Sequence, residues 1–79
     1  MASKKETENF FIRPALLLLT ERQLEVFLLL GEGKGPIEVG LELNISRKTV
    51  SSHREAIMDK MGFRNSYDLI HYAVKNRYT

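Results

Sequence analysis

The residues best suited to chemistry in this 79-residue chain are cations and hydroxyls concentrated between Ser46 and Gly62. Arginine and lysine side chains attract phosphates, while serine and threonine hydroxyls both donate and accept hydrogen bonds. Glu55 is the one carboxylate among the candidate residues. This combination indicates a surface that contacts a nucleic acid. The candidate residues are Ser46, Arg47, Lys48, Thr49, Ser51, Ser52, His53, Arg54, Glu55 and Lys60.

The distribution of charge supports this interpretation better than the net charge, which is only +2. Residues 20–45 carry two cations against five carboxylates, or −3, and residues 46–64 carry five cations against two carboxylates, or +3. A local excess of positive charge is expected of a surface that binds phosphate. A helix face that is merely solvated has the same pattern, and charge alone favours that simpler alternative.

A single well-capped helix would hold the candidate residues. Ser46 has a hydroxyl that can cap the first turn, and Gly62 can adopt the left-handed conformation that ends the last turn. Val50, Ile57 and Met61 repeat at near multiples of 3.6 residues, so we expect their side to face the core. The candidate residues then lie outward, except that His53 could instead hold a turn through one hydrogen bond.

Another helix is predicted to begin at Thr20, whose hydroxyl and the side chain of Gln23 can form a capping box. Leu19 and Leu24 occupy the two positions of a hydrophobic staple around that cap. Glycines at positions 31 and 33 end the helix. The core candidates within it are Val26, Phe27, Leu29 and Leu30.

A short second helix is predicted from Pro36 to Leu43, because proline suits the first position of a helix. Its inward residues are expected to be Ile37, Val39 and Leu43. Gly40 in its middle predicts that another helix crosses closely there. A tight turn then leads to Ser46, which gives the helix-turn-helix pattern.

The last predicted helix is capped by Asn65, with Asp68 in its first turn and Phe63 filling the core from the preceding loop. It has two apolar stripes, and a domain this small cannot bury both. We therefore expect one stripe to pair two copies of the chain. The dimer candidates are Tyr67, Ile70, His71 and Val74.

The first 18 residues are expected to form a tail and an apolar arm, followed by one domain over residues 19–79. Residues 10–12 are three large apolar side chains, which we expect to cover an exposed side of the core, with a partner contact as the alternative. Arg13 and Pro14 divide the apolar run that contains them, so neither a membrane span nor an export signal is expected. The predicted location is cytoplasmic.

Composition argues against an enzyme. The chain has no cysteine, which excludes disulfides and zinc sites that need thiolates. No glycine-rich phosphate loop is present, and the carboxylates and the two histidines do not converge in the predicted helices. We expect no metal, no cofactor and no catalytic residue.

Several residues fall at the spacing of a known family of DNA-binding domains. Because of these residues, the chain resembles the LuxR/FixJ/NarL/GerE-type domain from position 19 to about position 77, without a gap. The element Ser-x-x-Thr-Val-x-x-His, at its distance from the capping box and the Lys-x-Gly ending, makes the resemblance specific. The matching residues are Leu19, Thr20, Glu25, Val26, Gly33, Glu38, Ser46, Thr49, Val50, His53, Ile57, Lys60 and Gly62.

The resemblance implies an all-α domain of four helices, here at about 20–32, 36–43, 46–61 and 65–77. It implies that the third helix enters the major groove of DNA, that the fourth pairs two protomers, and that the protein regulates bacterial transcription. The chain departs from the family at Ser51, where many members carry lysine, at Glu55, where some carry another cation, and at Gly40, where alanine is common. Glu55 could accept from a cytosine amino group, or pair with Lys48 or another neighbour and weaken DNA binding.

Two functions of different classes are therefore expected. The first is a transcription regulator that binds double-stranded DNA as a homodimer, with a larger regulator or RNA polymerase as a further partner. The alternative is an interaction module of the same fold that pairs with another regulator of this type and binds DNA weakly. Glu55 and the modest basic charge favour the second.

Overall fold

The computed structural model describes residues 18–76, which form four α-helices and no strand within that range. The helices are α1 at Glu21–Gly31, α2 at Pro36–Leu43, α3 at Arg47–Met61 and α4 at Ser66–Lys75. The predicted all-α architecture of four helices is confirmed, and each bound lies within one or two residues of its prediction. The apolar segment at residues 10–12 lies outside the described residues.

Side-chain caps explain where three of the helices begin. Thr20 Oγ1 accepts from the backbone N–H of Gln23 at 3.1 Å, and Gln23 Oε1 accepts from the backbone N–H of Thr20 at 3.1 Å. Ser46 and Asn65 each accept from the backbone N–H three residues later, at 3.0 and 2.9 Å. These caps satisfy N–H groups that have no partner inside the helix, so the predicted boundaries are local properties of the chain.

The core lies where α1 packs on α3 and α4, with α2 packed against α3. A cluster of aromatic rings extends it, because Phe27 lies 6.5 Å from Phe63 and 6.2 Å from Tyr72 between ring centroids. Phe63 therefore fills the core from its loop, as predicted. The side chains that are fully buried are Val26, Val39, Val50, Ile57 and Leu69.

Two predictions for α2 need correction. Ile37 was expected to face the core but is 61% exposed. Val39 is fully buried, and residues two apart on a helix point to nearly opposite sides, so both cannot face inward. Gly40 does mark a close approach, but the neighbour is the carbonyl oxygen of Ile45 in the turn, 2.7 Å from where a Cβ would stand.

The turn between α2 and α3 reverses the chain through one left-handed residue. Asn44 has φ 57° and ψ 47°, a conformation that asparagine tolerates better than most residues. The reversal brings the Ile45 carbonyl back over α2, where only a glycine leaves room for it. The start of α3 is thereby fixed against the middle of α2.

Candidate nucleic-acid interface

α3 has one buried side and one open side. Val50 and Ile57 are fully buried on the first. At about 100° per residue, four side chains point within roughly 40° of the opposite direction. All four are exposed and make no hydrogen bond or ion pair with the described residues. We name them the outer face of α3, and they are Lys48, Ser52, Glu55 and Asp59.

The first turn of α3 presents hydroxyls and cations. Ser46 and Thr49 share a hydrogen bond of 2.9 Å between their hydroxyl oxygens, while the Ser46 hydroxyl also caps the helix. Arg47 is exposed and, like Lys48, makes no ion pair within residues 18–76. The hydroxyls are thus fixed in position, whereas the two cations are available to a ligand.

Two residues beside the outer face are half-buried. Ser51 lies next to the N-terminal end of α2, and His53 lies on the opposite flank of α3. His53 makes no hydrogen bond to any residue that the structure describes. The alternative in which His53 holds a turn through one hydrogen bond is therefore not observed.

Two of the candidate cations are turned toward neighbouring helices. The guanidinium of Arg54 donates to the Ser66 hydroxyl at the start of α4. Lys60 Nζ donates to Gln23 Oε1 at 2.8 Å, which places it beside the capping box of α1. These exposed bonds are weak enough to exchange for a stronger anionic partner. In the free protein, however, neither charge lies on the outer face of α3.

A groove between the end of α3 and the following loop is lined by two carboxylates and two arginines. Glu55, Asp59, Arg54 and Arg64 all line it. The Arg64 backbone N–H donates to Asp68 Oδ2 at 3.0 Å and its Nε does so at 3.2 Å. These two hydrogen bonds lower the pKa of Asp68. Glu55 makes no ion pair with Lys48 or with any other described residue, so the alternative in which it pairs with a neighbour is not observed.

α4 carries the predicted exposed stripe. Tyr67 is 71% exposed, Val74 55% and Ile70 36%. The rings of Tyr67 and His71 stack at 5.7 Å between centroids with 13° between their planes. We name these four residues the outer face of α4. It is apolar where the outer face of α3 is charged, and the two faces lie on different helices.

Sequence reasoning overlooked Asp59 as part of the outer face of α3. It follows Glu55 by four residues and Ser52 by seven, so helical spacing alone would have placed it there. Its omission made that face seem more cationic than it is. Within residues 18–76, no helix is both long and apolar enough to cross a membrane.

Comparison with known proteins gives a consistent family. A family model described as "Bacterial regulatory proteins, luxR family" matches residues 17–73. The chain is 37% identical over 60 residues to "Oxygen regulatory protein NreC" of Staphylococcus aureus strains JH9 and USA300. The match covers 76% of this chain and 28% of each relative, so the chain spans less than a third of their length. No solved structure matches the chain significantly.

Proposed function

The chain belongs to the luxR family of bacterial regulatory proteins, and from that premise we propose that it binds duplex DNA with α3 in the major groove. The family is one of transcription regulators with a helix-turn-helix, and four helices in the expected order match it. The site of action is then the bacterial chromosome in the cytoplasm. Binding requires an exposed helix that a groove about 12 Å wide can accommodate.

The observation that carries the proposal is the open outer face of α3. This helix has 15 residues, so it is about 22 Å long, and none of the four outward side chains is bound to another described residue. The start of a recognition helix contacts bases and the adjacent backbone in helix-turn-helix proteins. Here that start is rigidly capped by Ser46.

The cations divide into two groups by their position. Arg47 and Lys48 extend from the first turn of α3 and are available to phosphates at once. Arg54 and Lys60 would first release Ser66 and Gln23. Phosphate contacts set the position of a protein on DNA and make its affinity depend on salt. The remaining contacts, from Ser46, Thr49, Ser51, Ser52 and His53, would be hydrogen bonds to phosphates or bases.

We further propose that two copies pair through the outer face of α4. Exposed apolar side chains that are contiguous on one helix favour a protein contact over water. A two-fold dimer places the same residues on both sides of the contact, so the stripe must be complementary to itself. Stacked Tyr67 and His71 provide a flat surface suited to such a contact. A dimer would present two α3 helices to successive major grooves.

The test of DNA binding is a fluorescence anisotropy titration of the purified chain against labelled bacterial promoter fragments and a random duplex at two salt concentrations. We expect affinity for every duplex to fall steeply with salt, because cations displace counterions from DNA. A chain that binds no duplex at low salt would refute the proposal. Selecting bound DNA from a random pool would add the sequence, and an inverted repeat would support the dimer.

A second function is favoured by the two unpaired carboxylates on the outer face of α3. Glu55 and Asp59 repel phosphates, so DNA affinity could be weak and the outer face of α4 could instead pair with a larger regulator of this family. Sedimentation of this chain alone and mixed with a family member's DNA-binding domain separates the two functions. Preferential hetero-association with poor DNA affinity would favour the interaction module.

A further inference from the structure

We infer that Glu55 determines specificity in the proposed DNA complex by accepting a hydrogen bond from the N4 amino group of a cytosine in each half-site. The inference rests on the proposed function and adds to it the class of base pair that the site selects. Glu55 is negatively charged and repels phosphates, so binding to the DNA backbone does not explain its position on α3. Two observations about its position and surroundings, together with the chemistry of base edges, support the inference.

The first observation is the direction of the side chain. Glu55 is exposed on the outer face of α3, with Val50 and Ile57 fully buried on the opposite side. It lies about 12 Å along the helix axis from Arg47, near the middle of α3. A helix in the major groove directs its outermost side chains to base edges and its flanks to the two backbones. Glu55 is therefore placed to face bases.

The second observation is that the protein itself leaves this carboxylate without a partner. No described residue forms a hydrogen bond or an ion pair with Glu55. Arg54, its neighbour in the chain, donates to Ser66 instead. Arg64, which lines the same groove, is held by Asp68. In the free protein, Glu55 therefore forms no salt bridge with either arginine.

Few groups in the major groove can donate a hydrogen bond to a carboxylate. An ionised carboxylate only accepts hydrogen bonds, and the donors on base edges there are cytosine N4 and adenine N6. Adenine also presents its N7 acceptor beside N6, whereas cytosine presents no acceptor of its own there. Guanine and thymine present acceptors, which repel a negative charge. Cytosine is therefore the base that fits Glu55 best.

The other residues of the outer face do not supply the same discrimination. The Ser52 hydroxyl both donates and accepts, so it tolerates every base edge. Lys48 belongs to the first turn and is a flexible charge suited to phosphate or to several acceptors. Glu55 thus lowers the overall affinity for DNA through repulsion of phosphates. It raises the ratio of the affinity for a site with the matching cytosine to the affinity for a site without it.

The first experiment selects duplexes from a random pool with the unmodified chain, Glu55→Ala and Glu55→Gln, and with Glu38→Gln as a matched control. Glu38 is an exposed carboxylate on α2 with no described partner, so its loss changes the net charge without touching α3. We expect one cytosine to be enriched by the unmodified chain and the control, and lost with Glu55→Ala. Equal thermal unfolding of all four proteins establishes that the variants fold.

The second experiment removes only the amino group. In a selected duplex, the enriched cytosine is replaced by 2-pyrimidinone, which lacks the N4 amino group, or by each other base. The unmodified chain should lose at least about fivefold in affinity, which is the lower range for one base contact. The same replacement should not change the affinity of Glu55→Ala. This variant should also bind random duplexes more tightly than the unmodified chain.

The outcomes separate this inference from the function on which it rests. Binding of duplexes by all proteins, with the same selected motif and the same penalty for 2-pyrimidinone, would overturn the role of Glu55 and leave DNA binding intact. An enriched adenine in place of cytosine would also overturn it as stated. Failure of every protein to bind any duplex at low salt would overturn both.

Discussion

The outer faces of α3 and α4 are both open to solvent, but they differ in chemistry. Each helix begins at a side-chain cap and is anchored by a fully buried residue, Ile57 in α3 and Leu69 in α4. On the open side, α3 carries three charged side chains and one hydroxyl with no partner among the described residues, whereas α4 carries a tyrosine, an isoleucine, a histidine and a valine. Similar scaffolds thus present two different surfaces.

The difference indicates two kinds of partner. Charged groups on α3 are well hydrated in the free protein, so only a partner with complementary charges and hydrogen-bonding groups can replace that water. The apolar side chains on α4 have little interaction with water to lose and gain from burial against another apolar surface. This contrast is why we assign DNA to α3 and a second copy of the chain to α4.

The largest effect is expected from a cavity in the core, because both outer faces depend on the packing of their helices there. Ile57→Ala should lower the free energy of unfolding by about 2–5 kcal/mol, because it leaves a cavity in a fully buried site. Ile57→Val, as the matched control, should cost only about 0.5–1.5 kcal/mol. Urea unfolding followed by circular dichroism measures both. Equal, small losses would show that the site is less tightly packed than the structure has it.

A charged residue introduced on the outer face of α4 should weaken the dimer without changing the folding of the protomer. Val74→Glu would bury two like charges in a two-fold dimer, and the dissociation constant should rise at least about tenfold, with unfolding changed little. Leu28→Glu is the matched control, because Leu28 is 53% exposed and lies on α1. Sedimentation equilibrium measures the dimer. A dimer unaffected by Val74→Glu but lost in the control would place the contact on α1.

Loss of one cation from each helix tests which face meets phosphate. Lys48→Ala should reduce the slope of log affinity against log salt by about one unit if Lys48 contacts a phosphate. Lys75→Ala removes the same charge from the last turn of α4 and should leave the slope unchanged. Titrations of one duplex at several salt concentrations give both slopes. Equal reductions of the slope by the two substitutions would show that α3 and α4 contribute equally to the electrostatic attraction of DNA.

The smallest expected effect concerns the start of α4. Hydrogen bonds from Arg64 lower the pKa of Asp68 below 3.8 in the folded chain, so the ionised form contributes stability above that pH. This contribution is lost as the pH falls through the lowered pKa. The melting temperature of Asp68→Asn should therefore lie below that of the unmodified chain at pH 6, and the difference should close below pH 3.8. A difference that persists at pH 2 would require another cause.

Much of the scaffold could be predicted from the sequence, because its signals are local. The capping box at Thr20, the cap at Ser46 and the glycine at position 62 each act within one helical turn. The spacing of Val50 and Ile57 fixed which side of α3 is buried, and hence which side is open. For the same reason, Asp59 could have been assigned to the outer face.

The remaining parts of the candidate site were less predictable. Ile37 is apolar, yet it is exposed because Val39 occupies the buried side of a helix only eight residues long. The close neighbour of Gly40 is a turn carbonyl rather than a helix, because the chain reverses sharply at Asn44. Hydropathy and glycine position indicate burial and close approach, but neither identifies the neighbour.

By itself, the sequence determined four helices, their caps, the buried side of α3 and the candidate cations, since each depends on residues within about a turn of one another. The tertiary structure alone decided which cations stay available. Arg54 meets Ser66 across 12 residues and Lys60 meets Gln23 across 37, and such partners come together only through the packing of helices. Arg64, by contrast, meets Asp68 only four residues away, a local contact at the start of α4, while Glu55 faces outward with no partner among the described residues.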